Sequence, residues 1–213
     1  MRQDMRRFAW VMGISFLGFL VVLLSVMMGV IDPVDVWMET HVQVLWTPAV
    51  TSVMDLVTTV GRPLVLGGIA VALGLLLMLF RRWYDAIPAL LGVAGGAFLV
   101  LPLKEVVHRL RPELHLTTAS GFSFPSDHAT VAVLFFGFLL LLLLPVSSSR
   151  VVRWVLWGCS LFGFGLISFT RIYLGVHWFS DILGGWLLGL AWLCLTILLK
   201  DFLETQWPLR KKM

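Results

Sequence analysis

An uncharged run of 23 residues, from Phe8 to Val30, constrains this chain more than any other feature of its sequence. A helix rises about 1.5 Å per residue, so a run of this length can cross a hydrocarbon core of about 30 Å. In lipid the backbone must satisfy its own hydrogen bonds, which favours a helix. Because no small-x-small cleavage pattern follows the run, we expect an uncleaved membrane-spanning helix.

Five further apolar runs are each bounded by charged residues or by proline and glycine. They cover residues 63–80, 86–103, 129–146, 154–169 and 182–199. With 59% hydrophobic and 13% charged residues, the chain is too apolar for a soluble globular domain or an intrinsically disordered protein. We predict an all-α membrane protein with six transmembrane helices in a single domain, residues 1–213. Cys159 and Cys194 lie inside apolar runs and are expected to be buried rather than disulfide-bonded.

The stretch between the first two runs, Ile31 to Gly61, mixes apolar and polar residues at helical spacing. It is too broken to span a membrane. We expect one or two amphipathic helices at the outer interface, with Trp37 and Trp46 at the level of the lipid headgroups.

Positive charge is distributed unevenly between the two sides of the predicted membrane protein. The N-terminus, the second and fourth loops and the C-terminal tail hold 11 of the 16 lysine and arginine residues, but only four of the 12 acidic residues. The positive-inside rule therefore places both termini in the cytoplasm. Because the basic residues are spread over four segments, no nucleic-acid partner is expected. The small size of the protein favours a bacterial inner membrane, with the remaining loops facing outward. A eukaryotic internal membrane with a lumenal site would give the same charge pattern.

Three polar stretches lie where the outer loops join predicted spans, and polar residues at such positions are commonly functional. In the first stretch, Lys104, His108 and Arg111 are spaced i, i+4 and i+7, which places them on one face of a helix that we expect to end at Pro112. A basic cap whose side chains reach the interface would also explain this stretch.

The second stretch, Ser126-Asp127-His128, directly precedes the apolar run at 129–146. Ser126 is suited to cap a helix N-terminus, where free backbone N–H groups also favour an anion. Capping alone would explain Ser126 and Asp127, but not His128.

The third stretch contains Arg171, His177 and Asp181. If residues 177–181 are helical, Asp181 can accept a hydrogen bond from one nitrogen of His177 and leave the other unprotonated, so His177 is a candidate nucleophile or base. A structural pair at the membrane boundary is the alternative. Together the three stretches supply two histidines and cationic donors, including planar arginine groups that match phosphate oxygens. This set predicts a phosphoryl-transfer site.

In order and internal spacing, the three stretches resemble the signature of the type-2 phosphatidic acid phosphatase superfamily of integral membrane lipid phosphatases. The matching motifs are Lys104-x6-Arg111-Pro112, Pro125-Ser126-x-His128 and Arg171-x5-His177-x3-Asp181, which define a motif core over residues 104–181. Thr170 replaces the usual serine. Asp127 replaces the usual glycine. An aspartate at this position resembles the branch of the family that acts on undecaprenyl diphosphate. This added carboxylate should repel a phosphate unless it points away or pairs with a cation such as Arg109.

The resemblance implies a mechanism and a role for each site residue. His177 would attack the terminal phosphorus to form a phosphohistidine, Asp181 would orient His177, and His128 would protonate the leaving oxygen. The phosphate would be bound by residues of all three motifs: Lys104, Arg111, Ser126, Asp127 and Arg171. No metal ion or other cofactor is expected, because the nearby acidic residues are scattered over three stretches instead of forming a magnesium site.

The expected substrate is a lipid whose phosphate reaches the outer interface while its tail stays in the membrane. Undecaprenyl diphosphate ranks first, because of Asp127 and because His108, Arg109 and His115 could hold a second phosphate. Phosphatidic acid, phosphatidylglycerol phosphate and lipid A fit the same description.

Three other classes of protein share parts of this pattern. A transporter could bind a lipid phosphate without hydrolysing it, although simple binding does not require an oriented imidazole. A cytochrome could use His128 and His177 as haem ligands, but such ligands are expected deep within a helix bundle. A zinc hydrolase could use His128, His177 and Asp181, and a chelator would inactivate it.

Overall fold

The structure, a computed structural model, describes residues 3–207 and contains no strand among them, so the all-α prediction is confirmed. Nine α-helices and one π-helical segment follow one another along this part of the chain. The α-helices are α1 (Gln3–Met27), α2 (Asp32–Gln43), α3 (Pro48–Val60), α4 (Pro63–Leu79), α5 (Trp83–Ile87), α6 (Gly95–Val107), α7 (Asp127–Leu143), α8 (Arg150–Tyr173) and α9 (Phe179–Gln206), and the π-helical segment is Pro88–Ala94.

Among residues 3–207, five helical segments are long and apolar enough to cross a membrane: Asp4–Met27, Pro48–Leu79, Trp83–Val107, Arg150–Tyr173 and Phe179–Gln206. The remaining predicted span corresponds to α7, which is apolar but has 17 residues. At about 1.5 Å per residue, α7 measures roughly 26 Å, slightly less than the thickness of a hydrocarbon core.

The predicted amphipathic stretch forms α2 and α3, but α3 does not stand apart from the helix that follows it. Only Gly61 and Arg62 separate α3 from α4. The interruption has a local cause, because a proline ring sterically disfavours the α conformation of the residue before it. Arg62, which precedes Pro63, has a ψ of 136°.

Trp46, which we expect at the level of the headgroups, joins two parts of the protein. Its Nε1 donates a hydrogen bond to the carbonyl oxygen of Tyr173 at 2.6 Å. The hydroxyl of Tyr173 in turn donates to the carbonyl oxygen of Leu45 at 3.2 Å. The segment between α2 and α3 is therefore attached to the end of α8.

The first polar stretch is not helical throughout, so the predicted common face of Lys104, His108 and Arg111 is wrong. α6 ends at Val107, His108 has a φ of 52°, and residues 108–126 form an irregular loop. Pro112 accounts for the early end, because a proline ring obstructs helical backbone in the turn before it.

α7 lies at the centre of the bundle and packs against α4, α8 and α9. Two glycines of α9 allow α7 to approach closely. A Cβ atom on Gly185 would lie 2.7 Å from the carbonyl oxygen of Ser126, and one on Gly189 would lie 2.9 Å from that of Thr130. The N–H of Ser126 also donates to the carbonyl oxygen of Asp181 at 3.1 Å. The N-termini of α7 and α9 are therefore held side by side.

The expected burial of the cysteines is confirmed for Cys194 and wrong for Cys159. Cys194 is buried in α9, whereas Cys159 is exposed on α8. The same helix exposes Trp154 and Phe162. Lipid tails are as apolar as a protein core, so an apolar sequence does not distinguish a packed face from one that contacts lipid.

Candidate active site

The three polar stretches meet at one end of the bundle. The C-termini of α6 and α8 and the N-termini of α7 and α9 lie there, together with the 108–126 loop. This loop is attached to the end of α8, because the N–H of Leu116 donates to the carbonyl oxygen of Leu174 at 2.9 Å.

A Schellman motif at the end of α8 accounts for the spacing between Arg171 and His177. The N–H of Val176 donates to the carbonyl oxygen of Arg171 at 3.1 Å, and the N–H of Gly175 donates to that of Ile172 at 3.0 Å. Gly175 has a φ of 70°, which glycine adopts without steric cost. His177 therefore stands in a tight turn, two residues before α9.

His177 and Asp181 form the predicted pair, although the contact runs through this turn and not along a helix. Nδ1 of His177 lies 3.2 Å from Oδ2 of Asp181, and the N–H of Trp178 donates to the same oxygen at 2.9 Å. On the other side of the ring, Nε2 of His177 lies 3.2 Å from Nη1 of Arg111. Because a guanidinium group can only donate, Nε2 accepts and Nδ1 carries the proton.

The imidazole of His177 is almost completely enclosed, with 2% of the residue exposed. Burial lowers the pKa of His177 to about 4, even though the Asp181 carboxylate acts in the opposite direction. At neutral pH His177 is therefore uncharged and has the lone pair that a nucleophile requires.

Ser126 caps α7 as predicted, because its Oγ accepts a hydrogen bond from the N–H of Ala129 at 3.4 Å. His128 lies in the first turn of this helix. Its Nδ1 is 3.3 Å from Oδ1 of Asp127, and its Nε2 is buried. The cap thus places a second imidazole at the site, with one nitrogen held by a carboxylate.

The Asp127 carboxylate lies between groups of all three motifs. Its Oδ1 is 3.8 Å from Nζ of Lys104 and 3.9 Å from Nε2 of His177. The cation that faces Asp127 is Lys104, in the last turn of α6, whereas Arg109 pairs with Asp35 and Asp181. An anion bound beside His177 would be close to this carboxylate.

Arg111 connects the loop to the turn before α9. Its guanidinium group donates to four backbone carbonyl oxygens at 2.6–3.2 Å, those of Ser120, Gly121, Phe122 and Val176. Nη1 also contacts His177, so this edge of Arg111 is the one that faces the imidazole.

Arg171 is buried at the end of α8, where its Nη1 donates to Oγ1 of Thr58 at 2.8 Å. It lies within electrostatic range of Asp127 and Arg111. Within residues 3–207, the buried side-chain polar atoms that lack a hydrogen-bond partner are Nε of Arg171 and Nε2 of His128. An unpaired buried polar group costs about 1–3 kcal/mol, so both atoms are suited to a polar ligand.

The expectation that Arg109 is a spare donor for a second phosphate is wrong. Nη1 of Arg109 lies 2.8 Å from Oδ1 of Asp181, and Nη2 lies 2.6 Å from Oδ2 of Asp35. Sequence reasoning missed Asp35 altogether, because one acidic residue among several in an amphipathic helix carries no signal. The other two expected donors, His108 and His115, are exposed.

The arrangement offers what phosphoryl transfer requires: an oriented imidazole with an acceptor nitrogen, a second imidazole and several cationic donors. A comparison with known families agrees, because the model of the PAP2 superfamily matches residues 85–204, which contain all three motifs. The chain belongs to the PAP2 superfamily. This is a family of membrane lipid phosphatases, so the family prediction is confirmed. The apolar helices and the family together identify an integral membrane protein.

Two curated relatives carry names that specify a substrate. Phosphatidylglycerophosphatase B of Bacillus subtilis strain 168 is 29% identical over 202 residues, which are 92% of this chain and 97% of that protein. Undecaprenyl-diphosphatase of Sulfolobus acidocaldarius is 34% identical over 92 residues, which are 43% of this chain and 38% of that protein.

Two solved structures share the fold of this PAP2 chain. The transmembrane PAP2-type phosphatidylglycerolphosphate phosphatase from Bacillus subtilis is 27% identical, with a TM-score of 0.79 over 94% of this chain and 100% of that one. LpxE of Aquifex aeolicus is 20% identical, with a TM-score of 0.60 over 77% of this chain and 94% of that one.

Proposed function

We propose that this PAP2 protein hydrolyses the terminal phosphate of a membrane lipid through a covalent intermediate on His177. The observation that carries the proposal is the orientation of the imidazole: Nδ1 is held by Asp181 at 3.2 Å, and Nε2 faces Arg111 at 3.2 Å. A site that only binds phosphate needs no such orientation, which favours hydrolysis over transport.

The reaction proceeds in two displacement steps. Nε2 of His177 forms a bond to phosphorus while the bond from phosphorus to the lipid oxygen breaks, and His128 donates a proton to that oxygen. Water, deprotonated by His128, then attacks the phosphohistidine and releases inorganic phosphate. Asp181 holds the Nδ1 proton of His177 in both steps.

Cationic side chains neutralise the phosphoryl oxygens during both steps. Lys104, Arg111 and Arg171 have this role, and the buried hydroxyl of Ser126 supplies a neutral donor. Because these groups supply the charge that metal ions supply in other phosphoryl-transfer enzymes, we infer a metal-independent reaction.

Phosphatidylglycerol phosphate is the first substrate to test. Its support is the likeness, along most of both chains, to Bacillus subtilis phosphatases that are named for this substrate. Undecaprenyl diphosphate is the second candidate, supported by Asp127 and by the shorter match to an undecaprenyl-diphosphatase. It no longer ranks first, because Arg109 is occupied by Asp35 and Asp181 and is not free to hold a second phosphate.

The proposal includes a position in the membrane. The five long apolar segments and α7 make six crossings, with α4 as the crossing part of Pro48–Leu79, while α2 and α3 lie at the outer interface. Both termini are cytoplasmic, and the site opens to the outer face of a bacterial inner membrane, where it meets lipid phosphates at the interface.

The first experiment is phosphate release by the purified protein in detergent with a chelator present. Phosphatidylglycerol phosphate, undecaprenyl diphosphate, phosphatidic acid and lipid A are compared. We expect release from at least one lipid and a loss of roughly a thousandfold or more in His177→Ala. His41→Ala, which removes an exposed histidine of α2, is the matched control and should keep wild-type activity.

The outcomes separate the classes of protein. Release that persists in His177→Ala contradicts the assignment of the nucleophile. Activity that disappears in chelator and returns with zinc identifies a metal hydrolase. Binding of all four lipids without release of phosphate indicates a transporter.

A further inference from the structure

A buried cluster of charges connects the catalytic pair to α2. The Asp181 carboxylate uses its two oxygens differently: Oδ2 contacts His177, and Oδ1 accepts a hydrogen bond from Nη1 of Arg109 at 2.8 Å. The guanidinium group of Arg109 lies over the ring of Trp178, 5.6 Å from its centroid. Arg109 therefore holds the carboxylate oxygen that the histidine does not use.

Asp35 closes the other side of this cluster. Its Oδ2 accepts from Nη2 of Arg109 at 2.6 Å and from Oγ of Ser180 at 2.5 Å. Its Oδ1 accepts from the backbone N–H of Ser180 at 2.8 Å. Ser180 is the second residue of α9, so a side chain of α2 caps the helix that carries Asp181.

Stability alone does not account for the cluster. Asp35 and Asp181 are 1% and 0% exposed, and removing carboxylates from water is costly even when they are paired. Apolar side chains of similar volume often stabilise a protein at least as well as buried ion pairs do. A cluster that contacts one oxygen of the Asp181 carboxylate is better explained by its effect on that carboxylate.

We propose that Asp35 and Arg109, together with Ser180, are positioning residues that hold Asp181 ionised and with Oδ2 directed at Nδ1 of His177. The proposal rests on the proposed function, because it takes the roles of Asp181 and His177 from it. It also makes α2 part of the active site, since α2 carries the carboxylate that holds Arg109 in place.

The test compares Asp35→Asn with Asp32→Asn. Asp32 lies on the same helix, 3.4 Å from Nη2 of Arg109, but its side chain is 59% exposed. We expect kcat of Asp35→Asn to fall roughly ten- to hundredfold, because a misoriented catalytic group slows the chemical step, while KM changes by less than about threefold. Asp32→Asn should stay within about twofold of wild type, because exposed ion pairs contribute little.

Two substitutions of Arg109 give a second readout, the pH profile of kcat. Loss of the positive charge favours protonation of the His177–Asp181 pair, so the acid limb should move to higher pH in Arg109→Gln. Arg109→Lys keeps the charge but not the planar guanidinium group, so its acid limb should lie at the wild-type pH while kcat recovers only in part.

The other charged groups that face the His177–Asp181 pair are the same in all variants: Lys104, Arg111, Asp127 and Arg171. The double variant Asp35→Asn/Arg109→Gln should have a kcat no lower than that of the slower single variant, because substitutions of residues that act as a unit do not have additive effects.

Equal kcat values for Asp35→Asn and Asp32→Asn, or a loss confined to KM, would overturn the positioning role. If Arg109→Gln does not fold, the result for Asp35→Asn decides whether the positioning role holds. Asparagine has the same shape as aspartate and keeps an oxygen that accepts from Ser180. The proposed function fails separately, when the wild-type protein releases no phosphate from any lipid. In that case, NMR of the protein with ¹⁵N-labelled histidine tests the positioning role. Asp35→Asn should alter the position of the proton on the His177 ring. A spectrum identical to that of the wild type would overturn the positioning role.

Discussion

Asp127 places a carboxylate in the candidate site, at a position where the signature that the motifs resemble usually has glycine. Its carboxylate lies 3.8 Å from Nζ of Lys104 and 3.9 Å from Nε2 of His177, where the oxygens of a substrate phosphate must also come. Two like charges 4 Å apart repel by about 4 kcal/mol at an effective dielectric constant of 20. A phosphate that enters the site must therefore compete with Asp127 for Lys104.

Replacing Asp127 by asparagine should strengthen the binding of anions, because it removes this repulsion and frees Lys104. We expect the inhibition constant of inorganic phosphate to fall by about tenfold or more in Asp127→Asn, and similarly in Asp127→Gly. Glu105→Gln removes an exposed carboxylate next to Lys104 and should leave the constant unchanged. The same inhibition constant in Asp127→Asn and the wild type would contradict the expected competition.

At the level of the elements, the ends of helices build the site. α8 ends in the Schellman motif that presents His177, the first turn of α9 carries Asp181, and α7 begins with the cap that presents His128. These ends are aligned by the close packing of α7 and α9, for which Gly185 is required. A Cβ atom at this position would lie 2.7 Å from a backbone oxygen, that of Ser126, which cannot move without its helix.

Gly185→Ala should therefore lower both stability and activity. Overpacking costs typically about 1–3 kcal/mol, and displacement of α7 would move His128 away from His177. Thermal unfolding in detergent and phosphate release measure the two effects.

Gly68→Ala is the matched control, because no atom beyond the neighbouring part of its own helix, α4, lies within 4 Å of its Cβ position. It should be neutral or stabilising by up to about 1 kcal/mol, since alanine favours a helix more than glycine does. A Gly185→Ala protein as stable and as active as Gly68→Ala would disprove the packing role.

Across the whole molecule, the two ends of the bundle differ in charge. The active-site end holds Asp35, Arg109 and Asp181 in one cluster. At the other end, Asp85 pairs with Arg82 and Lys200. Within the part of the chain that the structure describes, this second end also holds the basic residues at the start of α1, between α4 and α5 and at the start of α8, which supports the proposed cytoplasmic location for it.

Single cysteines in two exposed loops test this orientation. In a background that lacks Cys159 and Cys194, Thr118→Cys should react with a membrane-impermeant maleimide in intact cells, because its loop lies at the active-site end. Ser148→Cys should react only after the membrane is permeabilised. The reverse pattern would show that the active site faces the cytoplasm.

Much of the fold and of the site was predictable, because the decisive signals are local. The length of the apolar runs located the long helices, and the residues next to Ser126 in the sequence indicate that it caps a helix. The helical continuation through His108 to Arg111 was mispredicted, since the hydrogen bonds of Arg111 to backbone carbonyls of the loop form only in the folded chain.

By itself the sequence determined that the chain is helical, that it belongs in a membrane and that it carries the PAP2 motifs in order. These properties follow from composition, run length and spacing along the chain. Only the tertiary structure decided which charges meet: Arg109 joins Asp35, 74 residues away, and Lys104 faces Asp127. Such pairings depend on how distant helices pack, and no local pattern specifies which of several carboxylates is brought to a given arginine.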